Sequence, residues 1–170
     1  MRPLVAILIT ALLVAAAPAR SADRKHEIAN AIANASSITM FSLEPGEKGR
    51  RDSRGACIGH CYFGWPVLGQ TLLNAKQSKA TRKDLAAWLA VPEPEAIMMC
   101  FDPRHGVRIV AGQHTYDFVV CFECAQAQVF RDSAAEPIAY LYRGTSQKGW
   151  DALLNSAGVA LASPGARDGI

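Results

Sequence analysis

The stretch GVRIVAGQHTYDFVVCF, residues 106–122, contains two apolar runs that alternate with a period of two, as half-buried strands do. Ala111-Gly112-Gln113 lies between the runs and supplies a tight turn. Two strands joined by so short a turn run antiparallel. Three more strands are predicted at 38–43, 97–101 and 138–143. The segment 62–73 is aromatic and aliphatic, and Pro66 within it favours an edge strand or a bulge over a central strand.

Helical periodicity occurs outside these strands in three places. The spacing of apolar residues predicts one helix over 24–35 and a second over 79–90, the latter starting at a capping pair of Thr81 and Asp84. A third helix is predicted from Ser146 to a stop at Gly158. The predicted fold is a single α+β domain, with a mainly antiparallel sheet and two or three helices packed on one face.

The first residues have the three-part pattern of a secretory signal peptide. Arg2 is followed by an apolar run of 14 residues and then by small residues at cleavage spacing, which predicts cleavage near Ala19 or Ala22. The run is too short to span a bilayer as a helix. We therefore expect a signal peptide at 1–22, a single domain at 23–162, a disordered tail at 163–170, and a periplasmic or secreted protein without stable membrane insertion.

The charge balance gives no indication of a nucleic-acid partner. Loss of Arg2 and Arg20 with the signal leaves sixteen Lys and Arg against fifteen Asp and Glu, which produces no global positive field. The basic stretch at 47–55 contains Gly and Ser and is interpreted as a solvated loop.

An exported chain meets an oxidising compartment, so its cysteines are first of all disulfide candidates. There are five: Cys57, Cys61, Cys100, Cys121 and Cys124. Because five is odd, at most two disulfides form within one chain.

Cys121 and Cys124 allow two interpretations. On a continuous extended strand they would lie roughly 10 Å apart, too far for a disulfide, and Cys100 would be the natural partner of one of them. A bend at Phe122-Glu123 would instead permit a direct bond. As an alternative function, the Cys-x-x-Cys pair indicates a thiol–disulfide redox protein, although Glu123 would disfavour a thiolate.

Cys57-Ile58-Gly59-His60-Cys61 forms a second cluster, for which a small disulfide loop is the simplest interpretation. The alternative is a zinc or copper site, because thiolate and imidazole are suitable ligands for both metals. Its ligands would be Cys57, His60, Cys61, Cys121 and Cys124. No cofactor is expected. Covalent haem in particular is excluded, since neither cysteine pair is followed by the histidine of a haem attachment site.

Asp102-Pro103-Arg104-His105-Gly106 has the composition of a type I turn with a left-handed glycine at its end. Residues this close in sequence rarely face one another across a cleft, so Cys100, Asp102 and His105 are not assigned as a catalytic trio. No serine-hydrolase, zinc-protease or phosphate-loop motif occurs either. The sequence therefore assigns no catalytic residues and favours a protein that is not an enzyme.

Three pieces of sequence occur together in this chain: Phe63-Gly64-Trp65-Pro66-Val67-Leu68-Gly69, then Cys100-Phe101-Asp102-Pro103-Arg104-His105-Gly106, then Cys121-Phe122-Glu123-Cys124. With Gly158-Val159 after the last helix, the chain resembles a group of small exported bacterial proteins of unassigned function that carry C-F-x-P-R-H-G and C-F-E-C motifs. The likeness covers roughly residues 38–161. It implies that Cys100, Cys121 and Cys124 are the core cysteines, and it implies no activity.

The expected function is that of an exported, disulfide-stabilised protein of the bacterial envelope. Its most direct role would be binding a protein partner, as an inhibitor or an accessory subunit. The redox and metal-binding interpretations remain the alternatives.

Overall fold

The computed structural model describes residues 21–45, 52, 54–95, 100–142 and 144–163. The helices of this part are α1 (Ser21–Ala33), α2 (Ala75–Ala90) and α3 (Gln147–Ser156). The strands are β1 (Ser37–Leu43), β2 (Cys61–Tyr62), β3 (Trp65–Leu72), β4 (His105–Ala111), β5 (His114–Cys121), β6 (Gln126–Arg131) and β7 (Ala139–Tyr142). The predicted α+β class with an antiparallel sheet is confirmed.

The strands form one curled sheet in the order β2-β3-β1-β4-β5-β6-β7. The hairpin of β4 and β5 is the predicted one: Ala111 pairs with His114, and Gly112 takes a φ of 61° between them. Pro66 lies in β3, and the register between β1 and β3 shifts at Ser42/Leu43, where Leu43 pairs with Val67. Of the two alternatives predicted at Pro66, the bulge is the one observed. Strand β3 is not an edge strand, because it pairs with β2 on one side and β1 on the other.

All three helices pack on the same face of the sheet. Alternate residues of the central strands point to this face, because successive side chains of a strand point to opposite sides. The core contains Ile28 and Ile32 of α1, Leu85 and Trp88 of α2, Trp150 and Leu154 of α3, and Ile38, Met40, Val107, Ile109, Phe118 and Val120 of the sheet. The predicted packing of the helices on one face is confirmed.

The opposite face is covered by the chain's own β2–β3 hairpin. Tyr62 stacks on Phe41 of β1 with ring centroids 4.3 Å apart, and Phe63 stacks on Phe130 of β6 at 4.0 Å. The sheet curls far enough for the first hairpin to reach β6, which lies four strands away from β3 in the sheet order. A second, smaller apolar cluster is thereby buried.

A polar group is enclosed in this second cluster. The Asp117 carboxylate is completely buried and accepts hydrogen bonds from the Tyr62 hydroxyl at 2.8 Å and from Arg108 Nε at 2.7 Å. Burial, together with the nearby Asp117 charge, raises the pKa of Tyr62 well above its ordinary value. The pairing matters because an unpaired buried carboxylate would cost several kcal/mol.

The second helix begins earlier than predicted. Asn74 is its N-cap: Asn74 Oδ1 accepts the Gln77 amide at 3.0 Å, and Gln77 Oε1 accepts the Asn74 amide at 2.9 Å. The capping pair predicted at Thr81 and Asp84 is therefore wrong. Asp84 instead accepts a hydrogen bond from Trp150 Nε1 at 2.9 Å and so links α2 to α3.

Several predictions concern residues outside the described ranges. The signal peptide falls almost entirely on residues 1–20, most of the basic loop falls on 46–51 and 53, and the tail falls on 164–170 beyond Ser163. Of the strand predicted at 97–101, only Cys100 and Phe101 are described, and neither is in a strand. Within the described residues, no helix is both long and apolar enough to cross a membrane.

Candidate functional site

Two of the three quoted pieces of sequence meet at one end of the sheet, under α3. The irregular segment 100–104 leads into β4, and the turn 122–125 connects β5 to β6. This turn contains no glycine, and Ala125 takes the positive φ of 51° that closes it. The backbone amide of Ala125 donates a hydrogen bond to the Phe122 carbonyl at 3.1 Å.

His105 is the central residue of this region. It is the first residue of β4, its side chain is 1% exposed, and its Nε2 donates to Asp151 Oδ1 of α3 at 2.8 Å. The other oxygen of Asp151 accepts from Gln147 Nε2, one helical turn earlier, at 3.2 Å. The hydrogen bond from His105 lowers the pKa of Asp151, which keeps this carboxyl ionised.

Aromatic rings hold the imidazole in place. The Phe122 and Trp150 rings meet His105 edge to face, with centroids at 5.2 and 5.9 Å. Phe122 contacts Trp150 at 5.3 Å and Trp88 at 5.7 Å. The imidazole is therefore fixed in an apolar surrounding, where each of its polar contacts is stronger than in water.

Arg104 lies beside His105 and is also buried. Its Nε is 3.4 Å from Glu123 Oε1, and its Nη1 donates to the Ser163 carbonyl. The contact with Glu123 is at ion-pair distance but lacks hydrogen-bond geometry, so Arg104 Nε has no hydrogen-bond partner within the described part of the chain. Arg104 thus connects the turn 122–125 to the last described residues of the chain.

These groups surround a pocket of about 470 Å³. It is lined by Arg104, His105, Glu123, Gln147, Asp151, Leu161 and Ala162. Two of its buried nitrogen atoms, Arg104 Nε and His105 Nδ1, have no hydrogen-bond partner among the described residues. Ser42, the cross-strand neighbour of His105, also has a buried hydroxyl without a partner. Unpaired buried polar atoms are rare in folded proteins, because such atoms bind another protein group, an ordered water, an ion or a ligand.

Three cysteines form a cluster next to the pocket residue Glu123. Cys121 and Cys124 are joined by a disulfide, with Cα atoms 5.3 Å apart. Cys100 has a free thiol whose Sγ lies 2.7 Å from Cys124 Sγ. The continuous strand that would have kept Cys121 and Cys124 apart is not formed, because the chain turns at 122–125. The alternative of a bend is the one observed.

Cys57 and Cys61 form the second disulfide, next to β2. Four of the five ligands considered for zinc or copper are therefore bonded in two separate disulfides. Among the described residues, no group of three or more His, Cys, Asp or Glu side chains is arranged to hold a metal ion. The metal interpretation, which needed Cys57, His60, Cys61, Cys121 and Cys124 to converge, finds no support in this geometry.

The turn predicted at Asp102–Gly106 is wrong in its second half. Asp102, Pro103 and Arg104 lie in an irregular segment, whereas His105 and Gly106 are already part of β4. Gly106 does not take a left-handed conformation. It is needed because a Cβ here would lie 2.5 Å from the Tyr62 ring.

Sequence reasoning missed Asp151 and Gln147. They are spaced four apart on α3, a spacing that places them on one helix face. No local pattern indicates, however, that this face meets His105, which is 46 residues away. From the sequence, Glu123 is expected only to disfavour a nearby thiolate. Its ion pair with Arg104 depends on the tertiary fold.

A larger groove of about 630 Å³ lies between α1 and α2. It has an apolar floor that includes Ala29, Ile32 and Leu89, and basic residues at its rim that include Lys25 and Lys83. Nothing in the structure indicates what would cover it.

Comparisons of this chain with models of protein families, with curated proteins and with solved structures gave no match. Its own geometry is therefore the basis of any functional assignment.

Proposed function

We propose that this protein is an exported, disulfide-stabilised binding protein that receives a carboxylate group of its ligand in the pocket between β4 and α3. The observation that carries the proposal is the pair of buried, unpartnered nitrogen atoms, Arg104 Nε and His105 Nδ1, in one pocket. A guanidinium Nε always bears a hydrogen. Because His105 Nε2 donates to Asp151, His105 Nδ1 is an acceptor in the neutral ring and a second donor only in the protonated ring. The Arg104 Nε donor, which has no acceptor among the described residues, favours an oxyanion as the ligand group.

The energetics support a ligand role for these nitrogen atoms. A buried donor that is left unpaired costs about 1–3 kcal/mol, and a bound acceptor recovers that cost. Hydrogen bonds to an ionised acceptor are shorter and about twice as strong as neutral ones. Glu123 is 39% exposed and only loosely placed against Arg104, so a ligand carboxylate can take its position without breaking a strong bond.

The volume and lining also suit a binding role. Pockets for small molecules usually measure about 300–1,000 Å³ and combine apolar walls with a few polar groups. Here Leu161 and Ala162 supply apolar wall, and Gln147 with Asp151 supplies acceptors for a ligand amine or hydroxyl. The site therefore favours a ligand with a carboxylate and a neighbouring donor, as in an amino acid or at a peptide end.

Export remains part of this proposal and rests on the signal-peptide pattern. The two disulfides are consistent with an oxidising compartment. The alternative of a redox catalyst, in which Cys121 and Cys124 react with an external substrate, has less support than a binding role. The two residues are 0% and 4% exposed, and a catalytic cysteine must be accessible to its substrate. The resemblance to exported bacterial proteins of unassigned function agrees with an envelope location.

Calorimetric titration and thermal unfolding with three sets of probes test the proposal. The first set contains small molecules, namely free amino acids and dicarboxylates. The second contains short peptides with a free C-terminal carboxylate, and the third contains the same peptides with an amidated C-terminus. We expect saturable binding for one or both of the first two sets and none for the amides. Binding of the first set alone would indicate a small-molecule ligand, and binding of the second set would indicate a peptide or protein C-terminus.

The variant Arg104→Gln should weaken this binding at least tenfold, whereas Arg131→Gln, which alters an exposed arginine paired with Glu27, should leave it unchanged. If no carboxylate probe binds the wild-type chain, or if Arg104→Gln binds as well as wild type, the proposal is wrong. Circular dichroism of both variants confirms that each remains folded.

A further inference from the structure

Cys124 lies between two possible sulfur partners. It is bonded to Cys121, and the thiol sulfur of Cys100 lies 2.7 Å from its Sγ. Cys121 and Cys124 are buried, while Cys100 is partly exposed. Thiol–disulfide exchange begins with attack of a thiolate on one sulfur of a disulfide, and Cys100 lies close enough to Cys124 for that attack.

We infer that Cys100, Cys121 and Cys124 form an intramolecular exchange unit in which Cys124 is the shared sulfur. The Cys100 thiol releases its proton to solvent, and the resulting thiolate attacks Cys124 Sγ. The bond between Cys124 and Cys121 breaks, Cys121 leaves as a thiolate, and it takes up a proton. One disulfide is exchanged for another, so no external oxidant or reductant is consumed.

The surroundings of Cys121 favour its role as the leaving sulfur. The backbone amide of Cys124 donates a hydrogen bond to Cys121 Sγ at 3.1 Å. A hydrogen bond to a thiolate stabilises the charged form, and a better-stabilised leaving thiolate departs faster. The same amide stays within reach of Cys121 after the exchange, because only Phe122 and Glu123 separate Cys121 from Cys124.

The exchange connects the two segments that line the pocket. Cys121 with Cys124 ties only the turn 122–125 together, whereas Cys100 with Cys124 would tie this turn to the segment leading to Arg104. Phe122 and Glu123 lie between Cys121 and Cys124 in the sequence. Phe122 contacts His105, and Glu123 contacts Arg104. The two disulfide states therefore place different constraints on the pocket wall. This inference rests on the sulfur positions and does not depend on the ligand proposed above.

Disulfide mapping of the wild-type protein tests the inference directly. The protein is incubated at pH 8, trapped with a thiol-alkylating reagent, digested with trypsin without reduction and analysed by mass spectrometry. Cleavage after Arg104 and Arg108 separates Cys100 from Cys121 and Cys124, so only the exchanged state links two peptides. We expect both states, with alkylated Cys121 in one and alkylated Cys100 in the other. Detection of a single linkage at all times would overturn the inference.

Single variants identify the shared sulfur. Cys121→Ser should yield a Cys100–Cys124 disulfide, and Cys100→Ser should retain Cys121–Cys124, each leaving no alkylatable thiol in the cluster. Cys124→Ser is the matched control and should leave both Cys100 and Cys121 alkylatable. A Cys100–Cys121 disulfide in that variant, or free thiols in an oxidised sample of Cys121→Ser, would contradict the assignment of Cys124.

Discussion

The hydrogen bond between His105 and Asp151 joins a fully buried ring to a partly exposed carboxylate. Because the hydrogen bond lowers the pKa of Asp151, ionisation of this group stabilises the fold. The stabilisation is fully present above the ordinary value of 3.8, and it is lost as the pH falls through the lowered pKa of the folded state.

Asp151→Asn should reduce the free energy of unfolding at pH 7 by about 1.5–3 kcal/mol, the range for hydrogen bonds to charged groups. The difference from wild type should begin to shrink below pH 3.8, where the carboxyl of the unfolded chain becomes protonated, and it should disappear only below the lowered pKa of the folded state. Urea unfolding at pH 7 and at pH 3 measures both differences.

Asp132→Asn is the control for this pair. Asp132 contacts the exposed His114 at 2.7 Å, a distance similar to that between Asp151 and His105. Exposed ion pairs contribute little, so the control should lose less stability. A loss as large as that of Asp151→Asn would show that burial of His105 is not the source of the effect.

Gly106 allows the first hairpin to lie on the sheet. Gly106→Ala should cost about 1–3 kcal/mol in urea unfolding, because its Cβ would lie 2.5 Å from the Tyr62 ring and the ring is fixed by Asp117. Gly149→Ala in α3, where no atom lies within 4 Å of the added Cβ, should instead stabilise the protein by about 0.5–1 kcal/mol. The opposite order of the two variants would contradict this account.

At the scale of elements, the start of α2 depends on Asn74. Asn74→Ala should lower the free energy of unfolding by about 1 kcal/mol, since the Gln77 amide loses its acceptor. Asn74→Asp should keep most of the stability because a carboxylate caps a helix equally well. Equal stability of the alanine variant and wild type in urea would mean that the reciprocal cap contributes nothing.

The elements that the sequence predicts correctly are those with local signals. Strands β4 and β5 have a period of two and a glycine between them, and α1 and α3 have clear helical stripes. The turn 122–125 has no such signal, because Phe-Glu-Cys-Ala contains neither Gly nor Pro nor Asn, and Ala125 must take an unfavourable positive φ. The sequence pattern predicts too late a start for α2, because Asp84 resembles a capping residue but accepts a hydrogen bond from Trp150.

The pocket was beyond sequence reasoning for a related reason. Arg104, His105 and Glu123 belong to the two cysteine-containing sequence motifs. Asp151 joins them only when α3 packs on the sheet. Docking depends on apolar packing of Trp150 and Leu154, and that packing does not specify which polar residues meet. A sequence can thus show the residues of such a site without showing their partners.

At the scale of the whole molecule, two disulfides account for four of the five cysteines. Intact mass of the oxidised protein after alkylation under denaturing, non-reducing conditions should therefore show one adduct per chain, and five after reduction. Because the exchange conserves the number of thiols, this count is the same in both disulfide states. Three adducts in the unreduced sample would mean that one disulfide does not form.

Trp150 gives this region an optical signal of its own. Its ring lies 5.3 Å from that of Phe122 and 5.9 Å from that of His105, and Trp88 lies 5.7 Å from the same Phe122. Indole emission depends on the polarity and charge of its surroundings, so both tryptophans report on the cysteine turn and on the imidazole. Trp65, the third tryptophan, faces Phe101 next to Cys100. Intrinsic fluorescence of the unlabelled protein can therefore follow the pocket and its sulfur chemistry in real time.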